Sequence, residues 1–394
     1  MTVGELDVKE ETATPKLPDG KITEEALEKL RSMIGIQLRP ERYIREATID
    51  TITNFCNGIG DLNPLHRSEE YAKWTRYGQI VAPACFLYAR TWPGRTRFGL
   101  PGVHGFHGGN DFTFLRKVRL GDRIDAIDRV VGVEEKKSRL SRRLVITTVE
   151  TRFWNQHGDE VARCFGWNTR HERAASREGF KDRERERPEP ATYDLDELAA
   201  IELAQATEDE TRRGAEPRYW EDVAVGDETD PVFRGPLSTT DITAFLVGCG
   251  RGKAHGVALK EAMQHPGHYF RNPEAGGAIE YTGMGHQQAR VAAQVGAPGV
   301  YDFGPQRVSW LGTAVEHWMG DDGSIKRLRG ELRGFNVIGD VTTIRGKVVA
   351  KRRAGGEALV DLAISGTNQR GEQTIPGLAT VRLPGKKVPP VPRR

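Results

Sequence analysis

Cysteine is scarce in this chain: four residues, at 56, 85, 164 and 249, with no CxxC pair and no histidine at metal-ligand spacing. That argues against a disulfide framework and a cysteine-based zinc site, and isolated thiols in a long chain fit a reducing, cytoplasmic compartment. Long apolar runs are missing too. No stretch approaches the roughly 20 apolar residues that cross a bilayer, so no membrane partner is expected. Charge of one sign is small: the net value is +3, too little for a nucleic-acid binder read on charge alone. The opening MTVGELDVKEETATPKLPDG is polar and acidic, unlike a secretory signal or a transit peptide.

What is present is length and glycine. A chain of 394 residues suits two domains of roughly 150–200 residues, and 45 glycines favour turns and strands over a helical bundle. Residues 1–22 read as a disordered tail and 386–394 as a basic, proline-rich one. Thr23 before Glu24-Glu25 marks a helix start. A second helix is expected over about 50–56, with Ile49, Ile52 and Phe55 on one face, and a third over 68–77 behind the cap Ser68. From Pro83 a long apolar helix is expected, Pro suiting its first turn. Strands follow at about 110–117, 123–134, 144–155 and 161–170, divided by Gly121-Asp122 and His157-Gly158-Asp159. Gly105-Phe106-His107-Gly108-Gly109 lacks the strand–GxGxxG–helix context of a nucleotide site and reads as a turn.

Residues 171–217 carry a dense charge run in which Glu alternates with Arg. The field cancels, no nucleic acid is implied, and the segment reads as a linker. Beyond it the pattern returns. Asn155-Gln156-His157-Gly158-Asp159 is echoed by Asn368-Gln369-Arg370-Gly371-Glu372, Val118–Asp122 by 335–340, and residues 51–60 by 240–250. The chain is therefore read as an internal duplication, with units at 23–170 and 218–385.

Gly60-Asp61-Leu62-Asn63-Pro64-Leu65-His66 places a carboxylate and an imidazole five residues apart. Asn-Pro breaks the helix there, so a loop can turn both side chains toward one water, one polarising it and the other supplying a proton. Alone, the pair equally fits a turn cap beside a buried histidine.

The full stretch, Phe55, Gly60–His66, Tyr71-Ala72 and Gly78-Gln79-Ile80-Val81-Ala82-Pro83, resembles the MaoC-like dehydratases, the R-specific enoyl-CoA hydratases. Nearly the whole chain, apart from tails and linker, fits a two-unit version. The resemblance implies an α+β double hotdog, each unit a long central helix wrapped by antiparallel sheet. It implies acyl-CoA substrates, Asp61 and His66 as the catalytic pair, and no metal or redox cofactor. Ser68 departs from an Asp frequent in the family, at a position that caps a helix. Candidate substrate contacts are the helix-start amides of Ala84 and Cys85, with Asn63, Gly78 and Tyr88 beside them.

In the second unit, Glu280–His286 aligns with the motif and 300–304 with 80–83. His286 then replaces His66 and Tyr281 replaces Asp61; a second register sets Arg251 opposite Asp61. Either way the carboxylate is lost, and the second unit reads as catalytically silent. An extra segment at about 250–279 holds His255, His265 and His268. It lacks the companions of a metal site and reads as a loop covering the acyl pocket.

The expected activity is reversible hydration of a trans-2-enoyl-CoA to an (R)-3-hydroxyacyl-CoA, a step of lipid metabolism. A mesaconyl-type hydratase of a branched dicarboxylate is an alternative within that chemistry. A non-catalytic acyl-CoA-binding subunit is one outside it, and homodimerisation of the two-unit chain is left open. A thioesterase on this fold would need a carboxylate on the central helix, and residues 84–91 hold none.

Overall fold

The computed structural model describes residues 17–95, 100–137, 143–181, 189 and 191–386. Strands with alternating burial build one large antiparallel sheet. In the first unit they are β1 (Gln37–Leu38), β2 (His104–Phe114), β3 (Asp125–Lys136), β4 (Leu144–Trp154) and β5 (Glu160–His171). The second unit adds β6 (Val232–Arg234), a hairpin of β7 (Tyr269–Asn272) and β8 (Ala278–Tyr281), then β9 (Ser324–Glu331), β10 (Thr342–Ala354), β11 (Glu357–Asn368) and β12 (Gln373–Arg382). The spatial order β1-β3-β4-β5-β2-β9-β12-β11-β10-β6 reads the same from either edge once the units are exchanged. The duplication is thus a pseudo-dyad that passes between β2 and β9, where Asn110 faces Gly330. β7 and β8 form a separate two-stranded sheet.

Helices cover one face. Ile49–Ile59 and Thr239–Gly248 are each opened by a capping box, at Thr48 and Ser238, and they pack on one another across the dyad. Glycine permits that approach: a Cβ on Gly58 would lie 2.8 Å from Phe245 Cα, and one on Gly248 2.5 Å from the Asn54 carbonyl. The central helix of the second unit, Gly304–Met319, is buried along all 16 residues.

The first unit departs from the expected long helix. Behind Pro83 a three-residue 3-10 turn, Ala84–Phe86, leads into Leu87–Arg90, and the helix stops there. Thr91 is extended (φ −166°), Pro93 cannot donate to a continuing helix, and Gly94 (φ +91°) lies against Gly166 of β5.

Four smaller expectations are also corrected. Gly105–Gly109 is part of β2, not a turn: it pairs with β5, and glycine makes room for the Trp167 indole close against it. Cβ atoms on Gly108 and Gly109 would come within 2.5 and 2.3 Å of that ring. Pro64 starts a helical turn, Pro64–Arg67, where the Asn-Pro pair was expected to keep helix out. Helix 68–77 shortens to Glu69–Lys73. Of the expected tail, Leu17 and Ile22 are buried, and residues 1–16 lie outside the described ones, as do 387–394. The charged segment contains helices Arg173–Lys181 and Leu195–Ala206; its residues 182–188 and 190 are outside the described set.

Candidate active site

Helix Ile49–Ile59 ends at Gly60, whose left-handed backbone (φ +67°) suits glycine. The reversal carries the Asp61 amide back to the Cys56 carbonyl at 2.9 Å and turns the carboxylate inward. Asp61 Oδ1 accepts the Asn63 amide at 2.9 Å, and Asn63 Oδ1 in turn caps the next helical turn by accepting the Leu65 amide at 3.1 Å. That turn carries His66, whose Nδ1 lies 2.6 Å from the Val81 carbonyl and can only donate to it. The ring is thereby oriented, with Nε2 as its remaining polar atom. Asp61 and His66 are fully buried, and Asp61 Oδ2 and His66 Nε2 have no hydrogen-bond partner among the described residues.

The second unit closes this site. The last turn of Gly304–Met319 brings Glu316 Oε2 to 3.7 Å from His66 Nε2, and His317 Nε2 to 3.6 Å from Asp61 Oδ1. Glu316 Oε1 accepts from Lys117 Nζ at 2.9 Å, and Oε2 accepts from the Ala84 amide at 3.5 Å. Behind His317 stands Glu208, 3.4 Å from Nδ1 and held by two hydrogen bonds from Arg234. Neither Glu316, His317 nor Lys117 belongs to the sequence motif. The signal for Glu316 and His317 was slight: an adjacent Glu-His pair in a buried helix that also holds Gln306, Arg307, Ser309 and Thr313.

Electrostatics follow from this contact set. Burial opposes ionisation of Asp61, but His317, His66 and the Asn63 amide outweigh it and hold the carboxyl well below the usual range. Burial likewise opposes charging of His66, yet Glu316 and Asp61 raise its pKa above the ordinary value. Glu316, despite burial, is drawn down to about 2 by Lys117 and His66. The result is an ionised pair of carboxylates around a readily protonated imidazole. Asp61, His66 and Glu316 each offer one donor atom within 4.8 Å of the others, a set that a divalent cation would also accept. Lys117 already supplies positive charge to Glu316.

The other candidates are dispersed around this centre. Ala84 presents its amide to it. Cys85 is buried against the Val308 carbonyl, 3.8 Å from Sγ, and burial pushes its thiol far up. Tyr88 is in the core, donating to Asn110 Oδ1 at 2.5 Å. Asn63 is a cap, and Gly78 is exposed at a left-handed turn (φ +66°).

Equivalent backbone bonds settle the register of the second unit. His286 Nδ1 lies 2.9 Å from the Tyr301 carbonyl, 15 residues on, as His66 does with Val81. Gly250 (φ +65°) ends helix Thr239–Gly248, and the Arg251 amide returns to the Leu246 carbonyl at 2.9 Å, five residues back, as Asp61 does to Cys56. Arg251 therefore stands where Asp61 stands, and Tyr281 belongs to the inserted hairpin. The insertion, with helix His255–Gln264 and β7–β8, falls between the two motif positions.

The space around the two sites differs. A cavity of about 1260 Å³ opens beside His286, walled by Trp92, Arg251, Tyr281, Phe303 and Arg307 among others, and by insertion residues such as His255 and Tyr269. Asp61 and His66 do not line it. The short helix of the first unit leaves this room, whereas the long helix of the second unit fills the space beside Asp61. A smaller depression of about 370 Å³, lined by Tyr77, Arg116, Lys117 and Arg119 together with Asp122 and Asp159, shares Lys117 with the first site.

Comparison with known proteins agrees with this architecture. Residues 32–164 match the family described as FAS1-like, dehydratase domain region. A UPF0336 protein of Saccharopolyspora erythraea is 32% identical over 131 residues, 30% of this chain and 81% of that one. A probable enoyl-CoA hydratase alpha subunit of Thermomonospora curvata is 29% identical over 154 residues, 34% of this chain and 48% of its own length. Coverage of a Streptomyces avermitilis UPF0336 protein is 61%. Among solved structures, a MaoC-like dehydratase superposes with a TM-score of 0.63 at 15% identity, over 91% of this chain and all of the other. A Mycobacterium tuberculosis protein described as a double hotdog superposes at 0.53 and 9% identity, over 89% and 96%. By sequence the first unit belongs with the UPF0336 proteins, and the whole chain has the two-unit, double-hotdog fold that the MaoC-like dehydratase structure shares.

Proposed function

We propose that this chain reversibly hydrates a trans-2-enoyl-CoA to the (R)-3-hydroxyacyl-CoA at the first-unit site. The observation that supports the reading is the buried cluster of Asp61 and His66, in which Asp61 Oδ2 and His66 Nε2 make no hydrogen bond to the described residues and His66 Nε2 faces Glu316 at 3.7 Å. Ionised Asp61 takes a proton from water as its oxygen adds to C3, and protonated His66 delivers a proton to C2. Negative charge building on the thioester oxygen meets the Ala84 amide. Glu316 now occupies that amide, so it must turn aside as substrate enters. Arg116, Lys117 and Arg119 at the outer depression suit the phosphates of coenzyme A.

Assaying crotonyl-CoA, longer enoyl-CoAs and mesaconyl-CoA for loss of the enoyl absorbance tests this reading. Asp61→Asn and His66→Gln should each lower kcat by roughly 10²–10⁴ with the fold intact. Full activity in either variant would refute the assignment.

A second reading is thioester hydrolysis. Residues 84–91 hold no carboxylate, but the central helix of the second unit delivers Glu316 to this site. Release of free coenzyme A from saturated acyl-CoA, abolished by Glu316→Gln, would favour it. Binding of acyl-CoA without either reaction would point to a non-catalytic subunit.

A further inference from the structure

The second-unit cavity is more than a vacated copy of the first site. Its wall carries eight Arg and Lys residues against four Asp and Glu. All four acids are engaged, three of them with cations of the same wall: Glu261 with Lys253 and Tyr269, Glu280 with Asn272, Asp302 with Arg307, and Glu372 with Asn368 and Arg370. Arg251 is not engaged in this way. Its guanidinium stacks on Trp92, 3.7 Å from the ring centroid, and has no hydrogen-bond or ionic partner among the described residues. Arg95 lies nearby, bound to Glu41 at 2.8 Å and to the Tyr281 hydroxyl at 2.6 Å. A half-buried guanidinium stacked on an aromatic ring with no ionic partner is left undercompensated, and an anion in the cavity would complete it.

His286 is set for a complementary role. Its Nδ1–H is committed to the Tyr301 carbonyl, which leaves Nε2 as an acceptor on a ring that faces the cavity. Burial and the adjacent guanidiniums of Arg251 and Arg307 push its pKa down to about 3, so the ring stays neutral. His66, between two carboxylates, is driven the opposite way. Exchange of a carboxylate for a guanidinium at one backbone position has inverted the charge of the site. The remaining wall near Arg251 and His286 is aromatic: Trp92, Tyr281, Tyr301 and Phe303.

We infer that the second unit holds a binding site for a carboxylic acid with an apolar, ring-sized body, its carboxylate held by the fork of Arg251 and its body seated against Trp92 and Phe303. Arg offers the planar two-donor geometry a carboxylate matches, and stacking on Trp92 fixes that plane in advance. The site stands apart from Asp61 and His66 and does not depend on the hydratase reading.

Calorimetric titration of the full chain with 3-phenylpropionate, with its neutral amide 3-phenylpropanamide and with inorganic phosphate tests this inference. The acid should bind at least tenfold more tightly than the amide, since a charge-assisted pair contributes roughly a 10- to 100-fold preference. Arg251→Met should abolish that preference. Arg251→Lys, which keeps the charge and loses the fork, should keep only part of it, and it decides the matter if the Met variant does not fold. The inference is overturned if the acid does not bind, if acid and amide bind alike, or if the preference survives in the Arg251 variants. Displacement of the acid by equimolar phosphate would also overturn it, since the site would then take a phosphate group.

Discussion

Replacing Glu316 by Gln removes a charge without changing volume, and the structure states what that charge holds. Its carboxylate accepts from Lys117 Nζ at 2.9 Å and lies 3.7 Å from the buried His66 Nε2. Breaking a buried ion pair from one side costs about 3–5 kcal/mol, because the partner is left uncompensated. Both partners have an escape. Lys117 lines the outer depression and can turn to water, and His66 can lose its proton. The lower end, about 3 kcal/mol, is therefore expected. At about 2 cal/mol/K of unfolding entropy per residue, a chain this long loses roughly 1 °C of Tm per kcal/mol, so Tm should fall by about 3–4 °C near pH 6. The sign with pH follows from linkage. The raised pKa of His66 contributes stability that is complete below its ordinary value of 6.5 and is lost as pH rises through the folded value. The depressed pKa of Glu316 contributes stability present above its ordinary 4.5 and lost as pH falls toward about 2. The gap between native chain and variant should therefore be widest near pH 5–6, narrowing toward pH 9 and again below pH 4. Thermal melts of both proteins across that range measure it. A variant as stable as the native chain at pH 6, or a gap independent of pH, would show that Glu316 does not hold His66 charged.

Three further outcomes are expected. His286→Ala should change enoyl-CoA turnover less than threefold where His66→Ala removes nearly all of it, since Arg251 replaces the partner acid; equal losses would mean that both units do chemistry. Gly248→Leu should cost more than about 3 kcal/mol in chemical denaturation, because its Cβ alone would sit 2.5 Å from the Asn54 carbonyl across the dyad; a neutral result would deny the close helix contact. All four cysteines are buried, with thiol pKa values pushed up by burial, so Ellman's reagent should react with none quickly in the native chain and with four after denaturation.

The repeat and the first-unit motif were legible along the chain because both are local. Gly60 ends a helix, Asn63 and Pro64 start the next turn, and five residues bring Asp61 and His66 together through contacts within 20 positions of each other. Strand alternation marked β3, β4 and β5 nearly to the residue, and hotdog topology followed from the resemblance. The length of the first central helix was not legible. Its apolar residues read as one long run, while Pro93 and the fit of Gly94 against β5 stop it after two turns. Nor could spacing find Glu316 and His317, which reach Asp61 and His66 from the last turn of the second unit's helix, or Lys117, which follows β2 in the first unit and meets the site through Glu316. The register of the second unit was likewise undecided between Tyr281 and Arg251, because the insertion separates its two motif positions, and only the matching backbone hydrogen bonds choose Arg251. Sequence specified which side chains the chemistry has at hand. Tertiary packing decided which of the two sites is filled by a charged helix end and which is open, because a cavity depends on what each helix fails to fill, and that is a property of both units at once.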